Sequence, residues 1–310
     1  MSYGIVASRY RRKGSGQPTV IDGIQWDPAG IVTEGNRWYV DANQTVNRDG
    51  KSWQTAFNDM QSAIDATTAA NNDVIYVARG SFTVTSTVNF NKSGIAVIVG
   101  NPGVSPWASG EYTALLADAS FTDGPVATIT APCYIQGLGF ASRDTGATFY
   151  SGAAALIGGL ATAAPFGVHL RNCRFPKWGL DNRIGLAIEG SSDVLVESCI
   201  FEGVGANFAS GIYVQGATQN LHLIGNVFHD CDAAITHGAF AGGGPQCVYA
   251  YNIAEDCTKF LADGGNAATG IIYKNAIEIA ATSAYTAASA AALVALGLNP
   301  VGNDYIETFA

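Results

Sequence analysis

Glu202, His229 and Glu255 follow one another at steps of 27 and 26 residues, and Asp230 and Asp256, one place behind His229 and Glu255, are again 26 apart. Acidic and imidazole side chains repeated at such a spacing meet only if the chain winds in coils of that length. His229 would then be flanked by carboxylates from the coils on either side, with Asp230 beside Asp256. Paired acids on adjacent coils can serve as general acid and base, or as acid and nucleophile, at a glycosidic bond. The same oxygens can hold a cation weakly. Asp, Glu and His are also ordinary residues at a solvated turn between strands, so both readings stand until the elements that carry them are known.

The spacing belongs to the chain and not to these five residues alone. Asn172-Cys173-Arg174-Phe175, Ser198-Cys199-Ile200-Phe201, Gly225-Asn226-Val227-Phe228, Tyr251-Asn252-Ile253-Ala254 and Lys274-Asn275-Ala276-Ile277 repeat with steps of 26, 27, 26 and 23. A period in this range marks a solenoid, in which each repeat buries its apolar face against its neighbours. Aligned on the last residue of each tetrad, Leu170, Val196, Leu223, Tyr249 and Ile272 form one inward column. Val168, Val194, Leu221, Cys247 and Gly270 form another. The intervening column of Arg171, Glu197, Ile224, Ala250 and Tyr273 is mixed and faces outward.

The column of Cys173, Cys199, Asn226, Asn252 and Asn275 also points inward, so the chain bends just before it. An Asn at such a bend tolerates left-handed backbone angles and can bond to its stacked neighbour. Gly190, Gly216, Gly238 and Gly264 close a further apolar run in each repeat. Two strands per repeat with period two, rich in Val, Ile, Gly and Asn, specify an all-β chain wound as a single-stranded parallel β-helix. Helical solenoids and sheets joined by crossover helices do not fit this pattern. At about 4.8 Å per coil, roughly eight coils between Val74 and Ile279 give a shaft on the order of 40 Å. Capping helices are expected at both ends. One spans about 52–70, with Ser52 as N-cap and Trp53, Ala56, Phe57, Met60 and Ile64 on its apolar stripe; the other covers Thr286 to Leu296 in an Ala-rich tail.

The segments Trp38-Tyr39-Val40-Asp41-Ala42-Asn43, Asp49 to Phe57, Ala63-Ile64-Asp65 and Asp73 to Gly80, followed by the Asn/Cys-x-Phe repeats, resemble the pectin-lyase-like right-handed parallel β-helix proteins. The resemblance covers about residues 38–280. It implies a right-handed coil and leaves function open, because such proteins include polysaccharide lyases, glycoside hydrolases, phage tailspikes and non-enzymatic virion proteins. Polygalacturonases of this kind would show Asn-Thr-Asp, Asp-Asp, Gly-His-Gly and Arg-Ile-Lys motifs. Here Thr236-His237-Gly238 is a fragment of that set, and no Arg/Lys cluster beside calcium-binding aspartates of the pectate lyase type is evident. Resemblance to the phage members implies a homotrimer.

The chain of 310 residues carries a net charge of −9 and offers no general attraction for nucleic acid. Arg9, Arg11, Arg12 and Lys13 are the exception, in a Gly/Pro-punctuated segment of residues 1–36 that reads as a basic extended arm docking onto a partner protein. Residues 37–280 are the β-helix and 281–310 the terminal helix and tail. No secretory signal or membrane-spanning run is read, so a protein made in the host cytoplasm and carried on a virion is expected. Cys173 and Cys199, like Cys231 and Cys257, are 26 apart and stack as small core residues. Without CxxC or HExxH, neither a metal site nor a cofactor is expected.

Two repeats carry insertions, around Trp178, Asp181 and Arg183 and around Phe208, and insertions on one side of a solenoid make binding surfaces. The apolar tract Ala153 to Leu160 is either an oligomer interface or part of the core. His169 and His222 share an outward column with Leu195 between them, too far apart for joint metal ligation. The leading expectation is a non-enzymatic phage virion protein, a β-helix decorating the capsid or tail and held to capsid or tail proteins by its terminal arms. The alternative is a tailspike-like hydrolase or lyase acting on host surface polysaccharide through Glu202, His229, Asp230, Glu255 and Asp256.

Overall fold

Short runs that alternate inward and outward side chains and then meet a left-handed bend make strands that turn instead of continuing. The computed structural model describes residues 35–99, 113–121, 124–142, 152–159, 165–176, 184–203, 210–216, 218–238, 246–263 and 269–279, together with the backbone of short strands nearer each end. Strands stack into three sheets of 10, 10 and 8, parallel throughout except where Asn299–Val301 meets Asp304–Ile306 antiparallel. Each of eight successive coils supplies one strand to each sheet, as His169–Arg171, Arg174–Pro176 and Ile184–Glu189 do in the coil of Phe175. The coil count matches the repeat.

The columns read from the sequence are the observed register. Leu170 pairs with Val196, Val196 with Leu223, Leu223 with Tyr249 and Tyr249 with Ile272, and all five are fully buried. Phe140, Phe175, Phe201 and Phe228 form a continuous stack, with ring centroids 5.3, 4.5 and 4.9 Å apart. Offset-stacked aromatic pairs contribute about 0.5–1.5 kcal/mol each beyond their burial. Space for the rings comes from the facing third-sheet column of Gly185 and Gly211. A Cβ on Gly185 would lie 2.9 Å from the Phe201 ring, and one on Gly211 2.5 Å from the Phe228 ring. Register carries this column on to Ala234 and then Phe260, so the large residue changes sheets where the Phe stack ends at Ala254.

Asn226, Asn252 and Asn275 are fully buried and form a ladder. The Nδ2 groups of Asn226 and Asn252 donate to the Oδ1 of the next Asn at 3.0 and 2.9 Å, and to the backbone oxygens of Val196 and Leu223 at 3.0 and 2.9 Å. Cys199 and Cys173 continue the column: the Cys199 N–H donates to Asn226 Oδ1 at 2.9 Å and the Cys173 N–H to Cys199 Sγ at 3.3 Å. The left-handed residue is not the Asn itself. It is the residue before it: Asn172, Ser198, Gly225, Tyr251 and Lys274 have φ of 51°, 54°, 64°, 58° and 49°.

The ends depart from expectation. The 52–70 helix divides into a 3-10 turn at Trp53–Thr55, capped by Ser52, and helix α1 at Met60–Ala66, capped by the Asp59 carboxylate on Ser62 N–H. Ala56, Met60 and Ile64 are buried, whereas Trp53 is 41% exposed and leaves the apolar stripe, because the extended backbone at Ala56 breaks the helical period. The solenoid also begins earlier than Asp73, since Arg37–Val40 pairs in parallel with Val74–Val77. Asp73 pins this start. Burial would raise its carboxyl, but hydrogen bonds from the Thr68 and Asn36 N–H groups, Trp38 Nε1 and Asn71 outweigh that and hold it low.

At the other end no capping helix forms at Ala292–Leu296, contrary to the sequence reading. That segment is a strand paired with Thr269–Tyr273. Ala helix propensity is worth only tenths of a kcal/mol per residue, while the open edge of the first sheet offers N–H and C=O groups that a helix would leave unpaired. The apolar tract is resolved too: Ala153–Gly158 is a third-sheet strand, buried throughout. Within residues 1–36 the backbone of Thr19–Ile21, Ile24–Asp27 and Gly30–Ile31 forms a small antiparallel sheet, so this part of the arm is not simply extended. Among the described residues no helix is long and apolar enough to cross a membrane.

Candidate functional site

The candidate carboxylates stand on the outer side of the second sheet and at the bend that leads into the third. Glu202 pairs in register with His229, and His229 with Glu255, as the spacing requires. Asp230 and Asp256 occupy the bend itself, with φ of 55° and 53°. Short polar side chains tolerate that left-handed region better than most L-residues do, so a backbone reason suffices for aspartate at both places.

Four of the five side chains then have partners. Arg174 Nε and Nη2 donate to Glu202 Oε2 and Oε1 at 2.8 and 2.7 Å, a two-pronged pair from the preceding coil. His229 Nδ1 lies 3.2 Å from Asp230 Oδ2, and its Nε2 lies 3.5 Å from Asp256 Oδ2. The imidazole thus has a carboxylate near each nitrogen, Asp230 from its own coil and Asp256 from the next. Glu255 is exposed, and its main-chain oxygen accepts from Asp230 N–H at 3.2 Å. Ligand atoms of His229, Asp230 and Asp256 lie within 4.8 Å of one another, so these three are the described residues that could hold a cation. Their side chains are 44%, 40% and 67% exposed, which leaves such an ion largely to solvent.

A second polar group, on the outer face of the first sheet, was not legible as a site. Tyr134 and His169 are register neighbours, and their rings meet edge to face at 4.9 Å. His169 Nε2 lies 3.1 Å from Glu197 Oε2, and Arg171 Nε lies 3.8 Å from Glu197 Oε1. The His169 hydrogen bond holds the Glu197 carboxyl low despite its partial burial. Burial raises Tyr134, whose hydroxyl donates to Gln136. Acid, base and cation are thus all present, but Tyr134 is 4% exposed and Glu197 neutralises Arg171. His169 and His222 do flank Leu195, as read from the sequence.

The Thr236-His237-Gly238 fragment is core. His237 is fully buried, its Nε2 meets Tyr249 Oη at 2.6 Å, and its Nδ1 has no partner. Burial lowers its pKa to about 4. All six cysteines are free thiols and buried. Cys231 is held well up by its hydrogen bond with Cys257 and by burial, which suits an inert packing residue. Trp178, Asp181, Arg183 and Phe208, and the basic set Arg9, Arg11, Arg12 and Lys13, lie outside the described residues.

The family described as "Right handed beta helix region" matches residues 158–295. No curated protein matches the chain. Among solved structures the chain is similar to pectate lyase Pel9A, at 15% identity and a TM-score of 0.48, over 80% of this chain and 64% of that one. It therefore spans less than two thirds of that protein's length. It is also similar to Geobacillus virus E2 ORF18, at 12% identity and a TM-score of 0.48, over 96% and 72% of the two chains. The Dettilon tailspike protein matches at 12% identity and a TM-score of 0.40, over 83% and 68%. Three sheets built from successive coils, together with the match over residues 158–295, identify the fold of the chain as a right-handed parallel β-helix.

Proposed function

We propose that this chain is a non-enzymatic structural protein of a phage virion, a β-helical rod assembled as a homotrimer on the capsid or tail and held there by its terminal segments. The observation that carries the non-enzymatic half is the state of the second-sheet edge where several acids and an imidazole meet. Glu202 is taken by Arg174, both nitrogens of His229 face carboxylates, and Asp230 and Asp256 serve the backbone bend. The virion half rests on the opening segment and repeats that resemble phage β-helices and on the basic cluster at Arg9 to Lys13. Electron cryo-microscopy of purified virions tests it. Many ordered copies on the capsid lattice, or copies along the tail, are expected; absence from particles would reject the reading. Deletion of residues 1–36 is expected to abolish incorporation, and unchanged incorporation would reject anchoring by that arm.

A second reading is favoured by one observation, the convergence of His229, Asp230 and Asp256 across two coils. On it the protein is a tailspike-like depolymerase of host surface polysaccharide. Activity on capsule or lipopolysaccharide, lost in both Asp230→Asn and Asp256→Asn, would select this reading over the first. Activity retained in both would remove these residues from the reaction.

A further inference from the structure

Among the large apolar side chains that stay exposed, Tyr251 (53%) and Ile253 (38%) stand on either side of the buried Asn252. They sit at the corner where the first sheet turns into the second. Register extends that corner through three coils: Ile224, the buried Ala250 and Tyr273 lie on its first-sheet side, and Val227, Ile253 and Ala276 on its second-sheet side. In the middle coils the first-sheet positions carry the Arg171 and Glu197 pair, and the second-sheet column holds Arg174, which reaches Glu202, and then the buried Ile200. From Ile224 and Val227 onward the corner loses its charges except at Lys274.

Backbone conformation points the same way. The left-handed bend slot is filled by Asn172 and Gly225, which suit it, by the small Ser198, and then by Tyr251 and Lys274, large residues that do not suit it. Strain of this kind persists where the side chain has a use. It sets an aromatic ring and an ammonium on the corner, with Tyr251 edge-on to Tyr273 at 5.4 Å and Lys274 Nζ 5.1 Å from the Tyr273 ring.

We infer that this corner is the surface on which a second copy of the chain docks, the coils of the two copies lying side by side. Charge selects the partner. A body of net charge −9 repels its own copies over most of its surface, and this corner is an apolar interruption. Lys274 stands on it, and beyond Ile253 and the buried Ala254 come the exposed Glu255 and Asp256, the latter also near His229. The ammonium of one copy therefore has an acidic stripe to meet on the next, and the surface complements itself. The inference rests on the homotrimer proposed above, for which it names the contact surface, and not on the virion location, so recombinant full-length protein suffices to test it.

Sedimentation equilibrium across a concentration series is expected to show an oligomer for the wild type. Tyr251→Ser, which copies Ser198 in the same slot, and Ile253→Asp are each expected to weaken association at least tenfold with an unchanged circular dichroism spectrum. Lys274→Glu should weaken it as well, and mixing that variant with a Glu255→Lys, Asp256→Lys chain should restore it. A wild type that is monomeric throughout would overturn the inference. So would oligomer mass unchanged by Tyr251→Ser, or a corner found to take up glycan while the chain stays monomeric.

Discussion

At the scale of single residues, the buried amides and the buried imidazole decide most, because neither can fall back on water. Asn252 accepts from the Asn226 N–H and Nδ2 and donates to Leu223 O and to Asn275 Oδ1. Asn252→Ala leaves several of these groups orphaned in a dry interior. A loss of about 3 kcal/mol in unfolding free energy is expected, measurable by urea denaturation; a loss below about 1 kcal/mol would mean that the ladder is incidental. His237 gives a pH dependence. Its folded pKa of about 4 lies below the ordinary imidazole value of 6.5, so the unfolded chain binds more protons in that window. The stability it contributes is present above pH 6.5 and is lost as pH falls towards 4. The difference amounts to about 3 kcal/mol. Wild type should therefore lose about that much more stability than His237→Gln between those limits, and parallel pH profiles for the two proteins would contradict the assignment.

At the scale of elements, the second and third sheets share one volume and divide it differently along the shaft. Phe228 faces the Gly211 and Ala234 column, and one coil on, Ala254 takes the Phe position while Phe260 fills the facing column. Ala254→Phe alone overfills that coil and is expected to cost about 1–3 kcal/mol. Phe260→Ala alone empties it and should cost about 3–5 kcal/mol. The double variant moves the ring back to the second sheet, and a double-mutant cycle should show favourable coupling of more than about 1 kcal/mol. Additive effects would mean that the two positions do not share space.

For the whole molecule, stability is a chain of neighbour contacts, so the ends matter more than in a globular core. Met60, Ala63 and Ile64 of α1 are buried at the start of the shaft, and Ala292–Leu296 closes the first sheet at the far end. Removing residues 281–310 would expose the edge of Thr269–Tyr273 as a template for other chains. Light scattering of that truncation is expected to rise steeply with concentration at a temperature where the full chain stays clear. Equal solubility of the two proteins would show that the added strand does not protect the edge.

The sequence by itself determined the coil, because period-two alternation and a repeat near 26 residues leave one way to bury Leu170, Val196, Leu223, Tyr249 and Ile272 together. It also placed Glu202, His229 and Glu255 in one column, since register is arithmetic once the period is known. What it left open depends on distance across the fold. Whether Glu202 is available turns on Arg174, 28 residues away, and the pairing of His229 with Asp256 turns on how adjacent bends stack. Ala292–Leu296 has helical propensity in isolation, and only the unpaired edge of the neighbouring coil makes it a strand. Local preference is worth tenths of a kcal/mol per residue, and a buried hydrogen-bonding edge is worth more, so the tertiary structure decided wherever the two disagreed.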